Sequence, residues 1–274
     1  MAAPQQAGCC PPDAVGAVAA PAGYVNLGAD VDVGGGVSCY VVEPAGGAAP
    51  GRAVLVFHDI FGVDSARTRQ ICDVVASWGY LVVMPDLFKG GALDQTHAEA
   101  PGMGKLRMLL PAFGVLRGNQ WVKHGVREKI LEWVLPYLRN RRGCERIGTL
   151  CFCWGCYPMT HLLSMGLPQF KCGVGMHPSL VVFLALFYSN REELVSKCKV
   201  PLLYCSAADD PSDVKPGGMA EQALKKAGNT NSVFKLYPKM IHGWVNRGNV
   251  ADAQVKADYD DAMQLMQQHF AKYI

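Results

Sequence analysis

The first basic side chain of this 274-residue sequence is Arg52. A secretory leader needs a charged start and a transit peptide needs arginines, so neither is expected. The longest apolar run, Leu180 to Phe187, is too short to cross a bilayer. Charge is nearly balanced at a net +3 with no basic block, which argues against nucleic acid or an anionic membrane surface as a partner. Cys151, Cys153 and Cys156 have no second C-x-x-C and no histidine pair to accompany them, so the spacing of a zinc site is missing and no metal is expected. The 11 cysteines are odd in number and irregularly spaced, unlike a disulfide framework, and a reducing compartment, the cytoplasm, is the expected setting. No internal repeat is visible.

Half of the residues are apolar, ample for one large core, and the pattern fits a single α/β domain over residues 25–274 preceded by an extended arm over 1–24. The arm is rich in Ala, Pro and Gly around Cys9-Cys10-Pro11-Pro12, a composition that builds no packed core. Val37–Val42 alternates as a strand, and Ala53–Phe57 and Tyr80–Met84 are continuous apolar runs of the kind buried on both faces of a parallel sheet. Between the last two, Asp64-Ser65 offers a cap to a helix bearing Ile71, Val74, Val75 and Trp78 at helical spacing. Residues 93–120 have a weak, glycine-broken pattern and read as a surface or lid-like segment. Helical spacing returns from Trp121 to Leu138, and the last helix spans Ala251–Tyr273 with Val255, Tyr259, Met263, Met266 and Phe270 on one stripe. Strands alternating with helices along the whole length predict a mostly parallel sheet covered on both faces.

The organising stretch is Arg146–Thr160, R-I-G-T-L-C-F-C-W-G-C-Y-P-M-T. A buried strand to Cys151 and a helix from Tyr157 leave room only for a sharp turn with Cys153 at its centre. Such a strand-to-helix turn lifts its central side chain above the sheet. There the helix N-terminus and backbone N–H groups favour a thiolate. A cysteine is more often simply buried than reactive. What singles out Cys153 is its company: Asp209 and Asp210 follow the apolar strand ending at Cys205, and His242 follows the strand Ser232–Tyr237. Nucleophile, acid and histidine in that order, each just past a strand, is the order of an α/β-hydrolase fold.

Four segments carry a resemblance to the dienelactone hydrolases, also called carboxymethylenebutenolidases: V-F-H-D-I-F-G-V at 56–63, W-G-Y-L-V-V-M-P-D-L-F at 78–88, F-C-W-G at 152–155 and Y-P-K-M-I-H-G-W at 237–244. The C-C-P-P of the arm resembles eukaryotic members of that group. The resemblance implies Cys153 as nucleophile and His242 as base. Its G-x-x-D pattern fits Ser206–Asp209, implying Asp209 as the orienting acid with Asp210 next to it as the alternative. It also implies an oxyanion hole from the backbone N–H groups of Ile60 and Trp154. Asp59 stands where bacterial members have a glutamate that helps to ionise the thiol, so it is expected to switch or position the thiol with a side chain one methylene shorter.

Three departures accompany the match. Cys151 and Cys156 occupy places where glycine is usual. Lys89 and Gly90 replace an arginine after P-D-L-F, and the arginine expected after the histidine has only a shifted counterpart in Arg247. Arg and Lys differ in their grip on a planar carboxylate, which makes dienelactone itself a poor expectation for the substrate. Phe61, Lys89, His177, Trp244 and Arg247 are the expected pocket residues, while His58 reads as a hydrogen-bonder of its loop.

The resulting expectation is a hydrolase that cleaves a small ester or lactone through a thioester, with no cofactor, as a monomer or homodimer. Two alternatives are kept. One is a weak or inactive hydrolase fold serving as a binding or structural module, with a larger assembly compatible with it. The other is a thiol sensor built on Cys151, Cys153 and Cys156.

Overall fold

The computed structural model describes residues 23–44, 46, 51–89, 92, 127–180 and 191–274. The arm up to residue 22, the segment 93–120, the start of the helix expected from Trp121 and the apolar run beyond Leu180 lie outside the described residues. Eight strands form one sheet: β1 (Ala29–Asp32), β2 (Ser38–Val42), β3 (Arg52–Phe57), β4 (Leu81–Pro85), β5 (Arg146–Phe152), β6 (Phe170–Met176), β7 (Leu202–Ala207) and β8 (Val233–Tyr237). Their spatial order is β1-β2-β4-β3-β5-β6-β7-β8. β1 pairs antiparallel with β2 and β2 antiparallel with β4, whereas every pair from β4 to β8 is parallel.

Strand alternation divides the apolar residues between two layers. Ala53, Leu55 and Phe57 of β3 join one core with Ile130, Val134 and Leu138 of a helical stretch over 127–141 (α2) and with Tyr157, Met159 and Leu162 of α3 (Cys156–Leu163). The short α4 (Arg191–Ser196) and α5 (Met219–Lys226) contribute Val195, Ala220 and Leu224 to that face. Val54 and Val56 point the other way, toward Ile71 and Val75 of α1 (Thr68–Ser77) and Met263, Met266 and Phe270 of the last helix, named α7 below (Ala253–Tyr273). A sheet buried on both faces explains the uninterrupted apolar strands. Among the described residues no helix is long and apolar enough to cross a membrane.

Element types follow the expectations, with two differences that have clear causes. β1 went unread because its sequence, Ala-Asp-Val-Asp, carries too little hydrophobic pattern; it lies at the sheet edge with mostly exposed side chains. The cap expected from Asp64-Ser65 is not formed: α1 begins after Arg67 with no side-chain cap, because the Ser65 hydroxyl donates instead to Asp59. Tyr24, assigned to the arm, is tied to the domain. Its hydroxyl and Leu27 N both donate to Asp73 Oδ2 (2.6 and 3.1 Å), and the Tyr40 hydroxyl donates to Oδ1 (2.6 Å).

The chain order decides where a site can form. From β3 the chain moves to β4 on one side, and β5 then lies on the other side of β3. The carboxyl ends of β3 and β5 therefore lie side by side, and the segments that follow them meet at that edge of the sheet.

Candidate active site

β5 ends at Phe152, a single 3₁₀ turn covers Cys153–Gly155, and α3 begins at Cys156. Cys153 takes φ 51°, one of four non-glycine residues with positive φ among those described. A left-handed conformation costs a residue with a Cβ on the order of 1 kcal/mol or more, and such strain persists only where the surroundings enforce it. Gly155 shows what enforces it. A Cβ built there would lie 2.5 Å from Phe57 O and 2.7 Å from His58 O, so the turn is pressed against the end of β3. The same contact brings Trp154 beside the 58–61 loop, with its ring 6.2 Å from that of His58 and 4.8 Å from that of Phe88.

The sulfurs of Cys151 and Cys156 leave the turn intact. Both residues are fully buried, and the Cys156 thiol hydrogen-bonds the Tyr204 hydroxyl at 3.3 Å. Burial drives the Cys151 thiol well up from its ordinary range, assisted by its hydrogen bond to Cys156, which keeps it in the unreactive thiol form.

At the end of β7, Asp210 N donates to Ala207 O (3.3 Å) and closes a turn that sends the Asp210 side chain back over the sheet. Asp210 Oδ2 accepts from Ala207 N (2.6 Å), and Oδ1 accepts from His242 Nδ1 (2.5 Å). Both side chains are buried. With Nδ1 donating to a carboxylate, the ring's other nitrogen, Nε2, is left to act as acceptor. Asp209 is held differently: its Oδ1 accepts from the backbone N–H of His242 (2.6 Å), and partial burial raises its pKa. The expectation that Asp209 orients the imidazole is thus corrected to Asp210. The turn at 207–210 directs the second carboxylate, not the first, toward the ring.

Asp59, just beyond β3, has both oxygens engaged. Oδ1 accepts from Phe61 N (2.9 Å), Oδ2 accepts from Ser65 Oγ (2.8 Å) and Asn246 Nδ2 (2.9 Å), and Arg247 Nε lies 3.7 Å from Oδ2. A thiol switch requires a carboxylate free to swing toward sulfur, and these donors hold this one as an anchor of the Asp59–Phe61 peptides. Only the positioning half of the expectation matches this geometry. His58 behaves as expected for its loop. Its Nε2 accepts from Leu87 N (3.1 Å), so Nδ1 carries the hydrogen and donates to Asp59 O (2.6 Å), and burial lowers its pKa.

The expected pocket residues separate into groups. His177, with φ 39°, stands at the end of β6 with its ring 5.0 Å from that of His242 and 5.9 Å from that of Phe152. Phe61 lies beneath the Arg247 guanidinium, 4.7 Å from it. Arg247, only 2 % exposed, braces the Asp59 loop and does not project as a surface anion grip. Lys89 is exposed at the end of β4; burial, and Lys89 beside it, bring Lys129 down to about 8. Trp244 is not pocket wall. It opens the short helix α6 (Trp244–Arg247), which turns back onto the sheet, and it packs on Tyr237 at 4.6 Å inside the core shared by α1 and α7.

Sequence reasoning missed Asn246, which touches Asp59, Thr68 and His177 together. No motif marks an asparagine; the only available signal was its place four residues after His242. Among the described residues no group of three or more His, Cys, Asp or Glu is arranged to hold a metal.

Comparison with known proteins adds an independent line. Residues 37–274 match the dienelactone hydrolase family. The chain is 28% identical over 228 residues to a carboxymethylenebutenolidase homolog of Homo sapiens, covering 82% of each protein. It is 25% identical over 239 residues to one from Xenopus tropicalis, covering 87% of this chain and 88% of the other. In structure it resembles a putative dienelactone hydrolase from Klebsiella pneumoniae subsp. pneumoniae with a TM-score of 0.59 at 20% identity, over 86% of this chain and 93% of that one. That last likeness shows the α/β-hydrolase fold.

Proposed function

Given that this chain belongs to the dienelactone hydrolase family and is a hydrolase, we propose that it cleaves a small ester or lactone with Cys153 as nucleophile, His242 as base and Asp210 as the acid that orients His242. The observation that carries the reading is a buried imidazole whose Nδ1 proton goes to a buried carboxylate, at the same edge of the sheet as a strained cysteine at the end of β5. The relatives named as carboxymethylenebutenolidase homologs support an ester or lactone as the substrate class.

In this mechanism His242 Nε2 takes the thiol proton as Cys153 Sγ bonds to the substrate carbonyl carbon. The negative charge that develops on the carbonyl oxygen is met by the backbone N–H groups of Ile60 and Trp154, which the Asp59 anchor and the Gly155 contact hold in place. Collapse breaks the carbon–oxygen bond, and the leaving alkoxide receives the proton from His242, giving a thioester. Water then attacks, His242 accepts its proton, and the carboxylic acid departs as the thiol is regenerated. For a lactone the alcohol and the acid remain on one molecule. These steps require only protein groups and water, and the protein acts as a cytoplasmic enzyme.

The test is hydrolysis of p-nitrophenyl acetate and a panel of lactones by the native chain and by Cys153→Ala. The variant is expected to lose turnover while keeping its melting temperature, since alanine suits the turn and only the sulfur is needed for chemistry. Native-like turnover in the variant would remove Cys153 from the mechanism. An inert native chain would favour the binding or structural module.

A further inference from the structure

Asn246 is a fully buried amide whose side chain joins three other segments. Nδ2 donates to Asp59 Oδ2 (2.9 Å) beyond β3 and to Thr68 Oγ1 (3.1 Å) at the start of α1. Its Oδ1 lies 3.0 Å from His177 Nε2 beyond β6. A carboxylate oxygen without a proton only accepts, so the atom facing Asp59 must be the amide nitrogen and the atom facing His177 must be the oxygen. His177 Nε2 therefore carries a hydrogen, and one side chain sets both the tautomer of His177 and the seat of Asp59. The consequences reach the chemistry by two routes. Asp59 uses its other oxygen to hold Phe61 N, fixing the peptides on either side of Ile60. His177 lays its ring edge-on against that of His242.

Building on the mechanism above, we infer that Asn246 is a positioning residue that couples the Ile60 oxyanion loop to the histidine segment. It touches neither substrate nor thiol in this role. Its contribution falls on the step in which charge develops on the carbonyl oxygen. Alkylation of the thiol by iodoacetamide passes through no such oxyanion, so the two reactions should respond differently to its loss.

The experiment compares the native chain with Asn246→Asp and Asn246→Leu in three measurements: steady-state hydrolysis of p-nitrophenyl acetate, the rate of iodoacetamide labelling of Cys153, and the pH dependence of kcat. Asn246→Asp is isosteric and still accepts from His177, so it carries the test if the leucine variant does not fold. Losing a correctly placed oxyanion donor slows catalysis by about 10²- to 10³-fold; for displacement of the loop we expect kcat to fall about tenfold or more, KM to stay within about twofold, and labelling to stay within about twofold. The introduced carboxylate would face Asp59 and His177, with Arg247 beyond Asp59, the His242 ring beyond His177, and Arg67 N bonded to the backbone carbonyl of residue 246. Two carboxylates in contact share a proton, which restores a donor to Asp59, so the deficit of Asn246→Asp relative to the native chain should shrink on going from roughly pH 8 to roughly pH 5.

Labelling that falls in step with kcat, or a kcat unchanged in Asn246→Asp, overturns the inference. If the native chain itself neither hydrolyses nor labels at Cys153, the hydrolase mechanism falls and this inference with it. An active native chain beside an equally active Asn246→Asp removes the inference alone.

Discussion

Two strand ends on the same edge of the sheet each present aspartate to the site, and they use it in opposite ways. At the end of β7, Asp210 meets one backbone N–H and the imidazole of His242. At the end of β3, Asp59 meets a backbone N–H, a hydroxyl, an amide and, at longer range, a guanidinium. In the proposed mechanism the first carboxylate faces a group that gains and loses a proton, and it would stabilise the charged imidazole as it forms. The second faces donors that keep their protons, so it stabilises a backbone shape. Residue type and burial are the same in both cases; the partner decides the role.

The largest effect should come from separating charge from shape at β7. Asp210→Asn keeps the volume but can present an N–H to the ring and so favour the wrong tautomer of His242. Turnover is expected to fall by about 10³-fold or more with little change in melting temperature. A fall of less than about tenfold in kcat would leave Asp210 as a spectator and return attention to Asp209.

The corresponding change at β3, Asp59→Ala, should show the reverse balance. It leaves buried donors of Ser65 and Asn246 without their acceptor, each costing about 1–3 kcal/mol, so the melting temperature drops clearly. Turnover should fall by about 10- to 100-fold through loosening of the oxyanion loop. Iodoacetamide labelling of Cys153 should persist. Thiol reactivity that changes strongly, with stability untouched, would reinstate the switch role for Asp59.

The smallest effect is expected at Asp209, which follows β7 next to Asp210 and accepts from the backbone N–H of His242. Asn at that position still accepts from the same N–H, so Asp209→Asn should change kcat by less than about threefold. Its pKa is raised by burial in the fold, so the folded chain holds this proton more tightly than the unfolded chain. Stability from this group is therefore present at acid pH and lost as pH rises from the ordinary carboxylate range through the raised value. Asp209→Asn removes that loss and should be at least as stable as the native chain at neutral pH, measured by denaturant midpoints at several pH values. A clear destabilisation would mean that the charge itself holds the loop.

Local pattern accounts for what is legible in the sequence. Buried parallel strands are continuous apolar runs, helices repeat at three to four residues, and a cysteine between a strand and a helix with glycine two residues on needs a tight turn. These features lie within about fifteen residues of chain, and β3 to β8, α1, α3 and α7 all conform. The short β1 escaped because an edge strand with mostly exposed side chains buries too little to impose a pattern. Asp209 was preferred over Asp210 because a motif counts residues, whereas direction depends on the dihedral angles of the turn between Ala207 and Asp210. Trp244, a pocket residue by expectation, is instead folded into the core by α6.

The sequence by itself determined the α/β layering and the strand-to-helix elbow at Cys153, since each is encoded by periodicity or by residues close together along the chain. Only the tertiary structure decided which aspartate serves His242, that Asp59 is an anchor, and that Asn246 joins the two loops. Those outcomes depend on side chains from strands β3, β6, β7 and the segment after β8 meeting at one edge. A hydrogen bond between residues 187 positions apart, as between Asp59 and Asn246, leaves no local trace, because its geometry is set by strand order and loop direction.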